Sequence, residues 1–368
     1  MFRRNTQSAL FVLALVAMFV PFSCQNVSSG GNVSSSTTYN LYFGDLHTHT
    51  AYSDAWEGTP WDAYKAAIEA GADYMAITDH VDIWNAYEGL TMDAEEWADA
   101  LVAAEYYTSD EFVAMAGYEA WLLGHLGEIN VYNTRNLPPE EQLQNKHDRL
   151  AAFYDWLVSE GAIGQFNHPT YMTDNFEDFA YYSEARDGAM TIIEVWNGVY
   201  TEESYIMALD TGWHVMPSVN SDTHNPDWIA GYEMRTVLLA ESLTPENLYA
   251  AMSACRGYGT LDKNLEIRYT LQGQVMGSVL SSPASKYKAR IQICDPDGSP
   301  QDEITLVEVI SDGGVVVASV PTSGTSVDLT LTFSSNTATY FYVRVTTMSN
   351  HEGEPGVTAW TAPVWTGR

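Results

Sequence analysis

Two imidazoles one residue apart, His47 and His49, open the chemistry of this chain, and the carboxylate of Asp54 follows shortly after. The stretch Gly44-Asp45-Leu46-His47-Thr48-His49-Thr50-Ala51-Tyr52-Ser53-Asp54 continues the apolar run Leu41-Tyr42-Phe43, which reads as a short buried strand. Alternate side chains of a strand share a face, so both rings project to one side. Imidazole nitrogen suits zinc, iron or manganese, and carboxylate oxygen can bridge two such ions. A His-x-His pair alone is weak evidence, and its companions elsewhere have to carry it.

Those companions stand at the ends of other β runs. Tyr74 to Thr78 delivers Asp79-His80, Phe112 to Gly117 delivers Glu119, Ile163 to Asn167 delivers His168-Pro169, and Val215 to Asn220 delivers Asp222 and His224. Of nine histidines, His47, His49, His80, His168 and His224 occupy such ends, while His125, His147, His214 and His351 do not. A single histidine is more often a surface or capping residue, but scattered histidines would not sort this way. Asp45, Asp79 and Asn167 read as groups that orient ligands. Glu194 also ends a β run and reads equally as a ligand, a base or a structural group. Arg256 fits a helix end better than an anion contact. Trp56, Trp61, Trp84, Trp121, Tyr171 and Trp196 lie in or near these loops, where aromatics line either a pocket or the core. The chain has no Gly-x-Ser-x-Gly elbow, phosphate-cradling glycine loop or Cys-x-x-Cys pair, so serine-triad, nucleotide-triphosphate and redox chemistries have no support.

The elements that must position these residues alternate between strand and helix. Short β runs begin near Leu41, Asp73, Glu111, Ile129, Ala162, Met190, His214 and Arg235. Between them, Thr59-Pro60 to Gly71 and Thr244-Pro245 to Gly257 carry helix start and stop signals, and Pro139 to Glu160 has helical spacing. Alternation of this kind predicts a parallel sheet, open or closed into a barrel, whose strand ends converge on one face. After about Asp262 helical periodicity disappears. Six β-branched runs separated by turns predict a β-sandwich over 263–368 with no recognisable ligand, so a fragment ending near Asp262 is expected to keep some activity.

With 48 acidic and 16 basic residues the formal charge is −32, which argues against bulk nucleic acid as a partner. Residues 1–24 read as an export signal: Arg3 and Arg4 precede an apolar run too short to span a bilayer. Pro21-Phe22-Ser23-Cys24 resembles a bacterial lipoprotein cleavage box, with an ordinary secretion signal as the alternative. Residues 25–39 then form a flexible tether, and the membrane is met only through a lipid on Cys24. Cys255 and Cys294 are expected to be buried free thiols.

Taken together, His47-x-His49, Ser53-Asp54, Thr78-Asp79-His80, Glu119, Asn167-His168-Pro169 and Ser221-Asp222-x-His224 resemble the polymerase-and-histidinol-phosphatase (PHP) superfamily of metal-dependent hydrolases over residues 40–262. Gly44-Asp45-Leu46-His47 and Glu194-Val195-Trp196-Asn197 are similar to its secreted CehA/McbA-like branch. The resemblance implies an α/β fold, a distorted (β/α)7 barrel of PHP type, holding two or three divalent ions (zinc, manganese or iron). It makes His47, His49, Asp54, His80, Glu119, His168, Asp222 and His224 metal ligands, with Asp54, Glu119 and His224 nearest the chemistry. A hydroxide bridging two such ions would attack a small-molecule or oligomeric ester, most readily at phosphorus. A carboxylic ester, amide or carbamate is the alternative within the same site, and a non-catalytic surface protein binding glycans or a partner is the alternative outside enzymes. One further ligand falls between Glu119 and His168. Alignment on Gly-His selects His125 and alignment on Ile-Asn selects Glu128; ligand softness favours His125.

Overall fold

The computed structural model describes residues 39–82, 90–122, 126–139, 143, 148–170, 175–348 and 356–368. Residues 1–38, with Cys24, and Trp84, His125, His147, Tyr171 and His351 lie outside the described residues. Strand β1 (Asn40–Asp45) pairs in parallel with β2 (Tyr74–Ile77), whose path resumes after Thr78 and Asp79 as β3 (His80–Asp82). Beside it, β4 (Val113–Ala116) and β5 (Tyr118–Trp121) run parallel to β2 and β3, interrupted at Gly117. A Cβ on Gly117 would meet the Val131 carbonyl oxygen at 2.7 Å, so only glycine allows that approach.

The ladder continues through β6 (Glu128–Tyr132), β7 (Ile163–Asn167), β8 (Met190–Trp196) and β9 (Met216–Val219). Beyond β9 the chain returns to the first strand. The Asp222 amide donates to His47 O at 2.9 Å, the His49 amide donates to Thr223 O at 3.0 Å, and Thr48 bridges Thr223 in parallel. Helices α1 (Pro60–Glu69), α2 (Ala94–Tyr107), α3 (Arg149–Glu160), α4 (Glu202–Asp210) and α5 (Pro245–Ser253) connect the strands. Pro60 and Pro245 occupy first-turn positions, as their spacing predicts, and α3 stops at Gly161 with φ +65°. The fold is thus mixed α/β, but the pairing is not parallel throughout: β6 runs antiparallel to both neighbours. Residues 122–127 between β5 and β6 leave no room for a crossover helix, and only an antiparallel return fits so short a connection.

The remaining strands extend the sheet of β1, β2 and β4. β10 (Arg235–Ala240) lies antiparallel to β1, and β11 (Gly257–Thr260) to β10. Two sheets build the β-rich C-terminal part. One contains β12 (Glu266–Leu271), β13 (Gln274–Val275), β14 (Lys286–Cys294) and β17 (Ser326–Ser334); the other contains β15 (Ile304–Ser311), β16 (Val315–Pro321), β18 (Tyr340–Thr347), β19 (Gly356–Thr361) and β20 (Val364–Trp365). Strand β14 buries alternate residues Tyr287, Ala289, Ile291 and Ile293, and the Tyr287 and Phe333 rings each lie 4.9 Å from Phe341 across the core. The second sheet is continuous with the first part of the chain, because β19 pairs with β11. Cys255 is a buried free thiol, as expected, whereas Cys294 is disulfide-bonded. Among the described residues no helix is long and apolar enough to cross a membrane.

Candidate metal centre

His47 and His49 leave β1 on one face, their ring centroids 5.2 Å apart. Both Nε2 atoms face Glu119 Oε2, at 3.1 and 3.3 Å, and Asp222 Oδ1, at 3.3 and 3.0 Å. A second group surrounds Asp54: its Oδ1 lies 3.1 Å from His224 Nε2 and its Oδ2 3.8 Å from His80 Nε2. The His49 ring joins the two, 4.2 Å from His224 and 4.6 Å from His80. A third group forms where His168 Nε2 meets Glu119 Oε1 at 3.3 Å and Glu128 Oε2 at 3.2 Å. Glu119 therefore turns one oxygen to the first group and the other to the third.

Burial and charge set the ionisation of these side chains. Burial alone would lower His47, but Asp222, Glu119 and Glu194 outweigh it and hold the imidazole well above its ordinary pKa. His49 is likewise opposed by burial and pushed up to about 10 by Asp222 and Glu119. Burial would raise Glu119, yet His47 and His80 hold it well below the usual carboxylate range. Asp222 is lowered in the same way, against its burial, by His47 and His49. The strain is local too: His168 and Asp222 hold φ of +28° and +51°, positions that few non-glycine residues adopt away from functional sites.

These residues suit divalent cations on physical grounds. His49 Nδ1 and Nε2, His80 Nδ1 and Asp222 Oδ1 are buried without a hydrogen bond of acceptable geometry, a costly arrangement that a cation would relieve. In each of the sets His47-His49-Glu119-Asp222, His49-Asp54-His80-His224 and His80-Glu119-Glu128, ligand atoms lie within 4.8 Å of one another. The centre opens on a pocket of about 340 Å³ lined by His80, Glu119, Glu128, His168, Asn197, Asp222 and His224.

Every described ligand candidate is thus brought together, Glu128 included. Gly127, with φ +92°, turns the chain into β6 immediately before it, and a Cβ there would strike the Phe176 ring at 2.4 Å. The supporting residues differ from expectation. Asp45 accepts from the backbone of His47 and Ser221, and Asp79 accepts from Thr50 and Ser53, so both fasten loops where imidazole contacts were expected. Asn167 donates to Glu119 Oε1 at 2.6 Å. Arg256 stands apart at the end of α5, where its Nε donates to Leu239 O. The Trp121 ring is tilted against His80 with centroids 5.5 Å apart, Trp196 is buried, Trp61 donates to Asp99, and Trp56 is 87% exposed. Sequence reasoning missed Gln165, Asn197 and Asn220 as supports. The signal was present in the strands, where Gln165 and Asn167, then Ser218 and Asn220, alternate as polar residues inside apolar runs.

Residues 45–212 match the family model of the PHP domain. Asp222 and His224 lie beyond the matched segment and reach the centre through the return of the chain to β1. No curated protein matches the sequence. Among solved structures, the chain is similar to a two-domain protein from Bacteroides vulgatus containing a predicted PHP-like metal-dependent phosphoesterase, at 15% identity and TM-score 0.46, over 90% of this chain and 100% of that one. It is also similar to an amidohydrolase from Chromobacterium violaceum with bound sulfate and no metal, at 14% identity and TM-score 0.34, over 50% and 88% of the two chains. A histidinol phosphate phosphatase from Lactococcus lactis, complexed with zinc, L-histidinol and phosphate, gives 12% identity and TM-score 0.31, over 50% and 87%.

Proposed function

We propose that this chain is an exported metal-dependent hydrolase of the secreted CehA/McbA-like kind, whose PHP domain is a distorted seven-stranded β/α barrel and cleaves esters of phosphoric acid. The observation that carries the reading is the convergence of five imidazoles and four carboxylates on one centre, of which three of each line an open pocket. His47, His49, Glu119 and Asp222 would hold one divalent ion, Asp54, His80 and His224 a second, and Glu119, Glu128 and His168 a third. Zinc, manganese or iron bound there would acidify a water and take up the charge that builds on phosphorus.

The protein's own contribution is positional. Glu119 shares its two oxygens between groups, which fixes their spacing, and Asn167 holds one of those oxygens in place. Asp54 and His224, each about a third exposed, sit nearest solvent and are placed to meet the leaving group. Arg3 and Arg4 ahead of a short apolar run support export.

The test is metal analysis of the full chain with p-nitrophenyl phosphate, its diester and p-nitrophenyl acetate as substrates. Turnover of a phosphate ester, lost on chelation and restored by metal, is expected. Turnover of the acetate alone would move the reaction to carbonyl carbon. Uniform inactivity of fully metallated protein would overturn the hydrolase reading.

A further inference from the structure

We propose that Glu194 is a positioning residue of this centre, one carboxylate that sets the His47 ring and the His168 loop together; the inference rests on the metal-binding reading above. Glu194 lies on β8, fully buried. Its Oε1 meets His47 Nδ1 at 2.9 Å and accepts from Asn220 Nδ2 at 2.8 Å and Gln165 Nε2 at 3.4 Å. Its Oε2 accepts from the His168 amide at 2.7 Å and Asn197 Nδ2 at 3.2 Å. Glu194 lies within ligand reach of His47 and His168, but donors on both oxygens leave no open coordination position.

Two consequences follow from that arrangement. With His47 Nδ1–H donating to Glu194, Nε2 is the ring nitrogen that faces Glu119 and Asp222, the orientation a metal ligand needs. The bond to the His168 amide, in turn, holds a backbone at φ +28° that aims the ring at Glu119 and Glu128. Asn197 completes the link by donating its other bond to Asp222 Oδ2 at 3.1 Å, which leaves Asp222 Oδ1 turned toward His47 and His49. One carboxylate therefore braces ligands of the first and third groups.

Glutamine is nearly the same size and separates packing from positioning. An amide oxygen facing His47 would set the NH2 against the His168 and Asn197 donors. The reverse orientation sets NH2 against His47 Nδ1 and moves the ring proton to Nε2, where the lone pair is needed. The experiment compares wild type and Glu194→Gln as full chains. Zinc affinity is measured by chelator competition, stoichiometry at saturation, and the His47 tautomer by long-range proton–nitrogen NMR. E194Q is expected to remain folded and to reach wild-type stoichiometry at saturation. Its affinity should be about 10–100-fold weaker, the range for lost support of a metal ligand, with the His47 proton displaced to Nε2 in the metal-free protein. If E194Q does not fold, Glu194→Asp, which keeps both acceptors on a shorter arm, takes its place with the same weakening expected. Wild-type affinity in a folded variant would overturn the inference. So would the loss of one ion at saturation with the others held normally, since Glu194 would then be a ligand. A wild-type protein that takes up no metal would instead overturn the metal-centre reading.

Discussion

Tyr258 of β11 lies opposite Thr361 of β19, so the sheet that contains β1, β2 and β4 runs on into the C-terminal strands. The same boundary is sealed by side chains: Arg344 pairs with Glu202 at 3.0 Å, and Tyr205 donates to Thr361 O at 3.1 Å. Trp360 is fully buried beside it. Removing residues 263–368 would expose the β11 edge and leave Glu202 without Arg344, which makes a fragment ending at Asp262 prone to aggregate. The full chain is therefore expected to unfold in one cooperative calorimetric transition, and the fragment to be insoluble or markedly less stable. Two separate transitions, or a soluble fragment of native thermal stability, would contradict this.

How much of this was legible beforehand depends on the residue. His47, His49, His80, His168, Asp222 and His224 were readable because each follows an apolar run, and position at a strand end is a one-dimensional property. Glu119 was equally visible, but not that its two oxygens divide between two groups, since that depends on side-chain rotation. The β19–β11 pairing joins positions about a hundred residues apart, and no local periodicity reports such a contact. The antiparallel course of β6 was hidden for a related reason: strand patterns reveal faces, and direction emerges only from what the connection can span. Composition marked a change near Asp262, after which the described elements are strands and short turns; it carried no information on how tightly the two parts join.

Removal of a central ligand should separate chemistry from folding. In His47→Ala or Asp222→Ala, turnover is expected to fall by more than about 100-fold, beyond the range for loss of a merely supporting group. Metal content should fall with it, while far-ultraviolet circular dichroism is preserved because the ladder around the centre stays intact. Either variant with native metal content and turnover would remove that residue from the centre.

A pH test lies away from the centre, at Asp295. Burial, followed by the neighbouring carboxylates of Asp262 and Asp302, pushes its pKa from 3.8 up to about 7. Below pH 3.8 the group is protonated in folded and unfolded chains alike and contributes no difference. Between 3.8 and 7 the unfolded chain ionises first, so stability is progressively lost, and above 7 the loss is complete. Asp295→Asn removes that penalty. Its melting temperature, measured with a chelator present, should exceed wild type at pH 8 and match it near pH 4. A constant offset at both pH values would show that packing, not ionisation, is responsible.

Glu128 gives the sharpest test of the coordination chemistry. Softness of the ligand set favours His125 for this position, yet within the described residues it is Glu128 whose Oε2 stands 3.2 Å from His168 Nε2 and lines the pocket. With Glu119, Glu128 and His168 the third group offers two carboxylates to one imidazole, while the first offers two of each. Oxygen-rich sites discriminate less strongly against manganese than nitrogen-rich ones do. Glu128→His should therefore raise the zinc-to-manganese affinity ratio of one ion and leave the others unchanged, read by competition between the two metals with elemental analysis of the bound fraction. Glu128→Gln, which keeps the shape but offers a weaker neutral oxygen, should lower affinity for either metal at that ion alone. If neither substitution alters the ratio or the affinity, Glu128 lines the pocket without ligating, and the third position belongs to a residue outside β6.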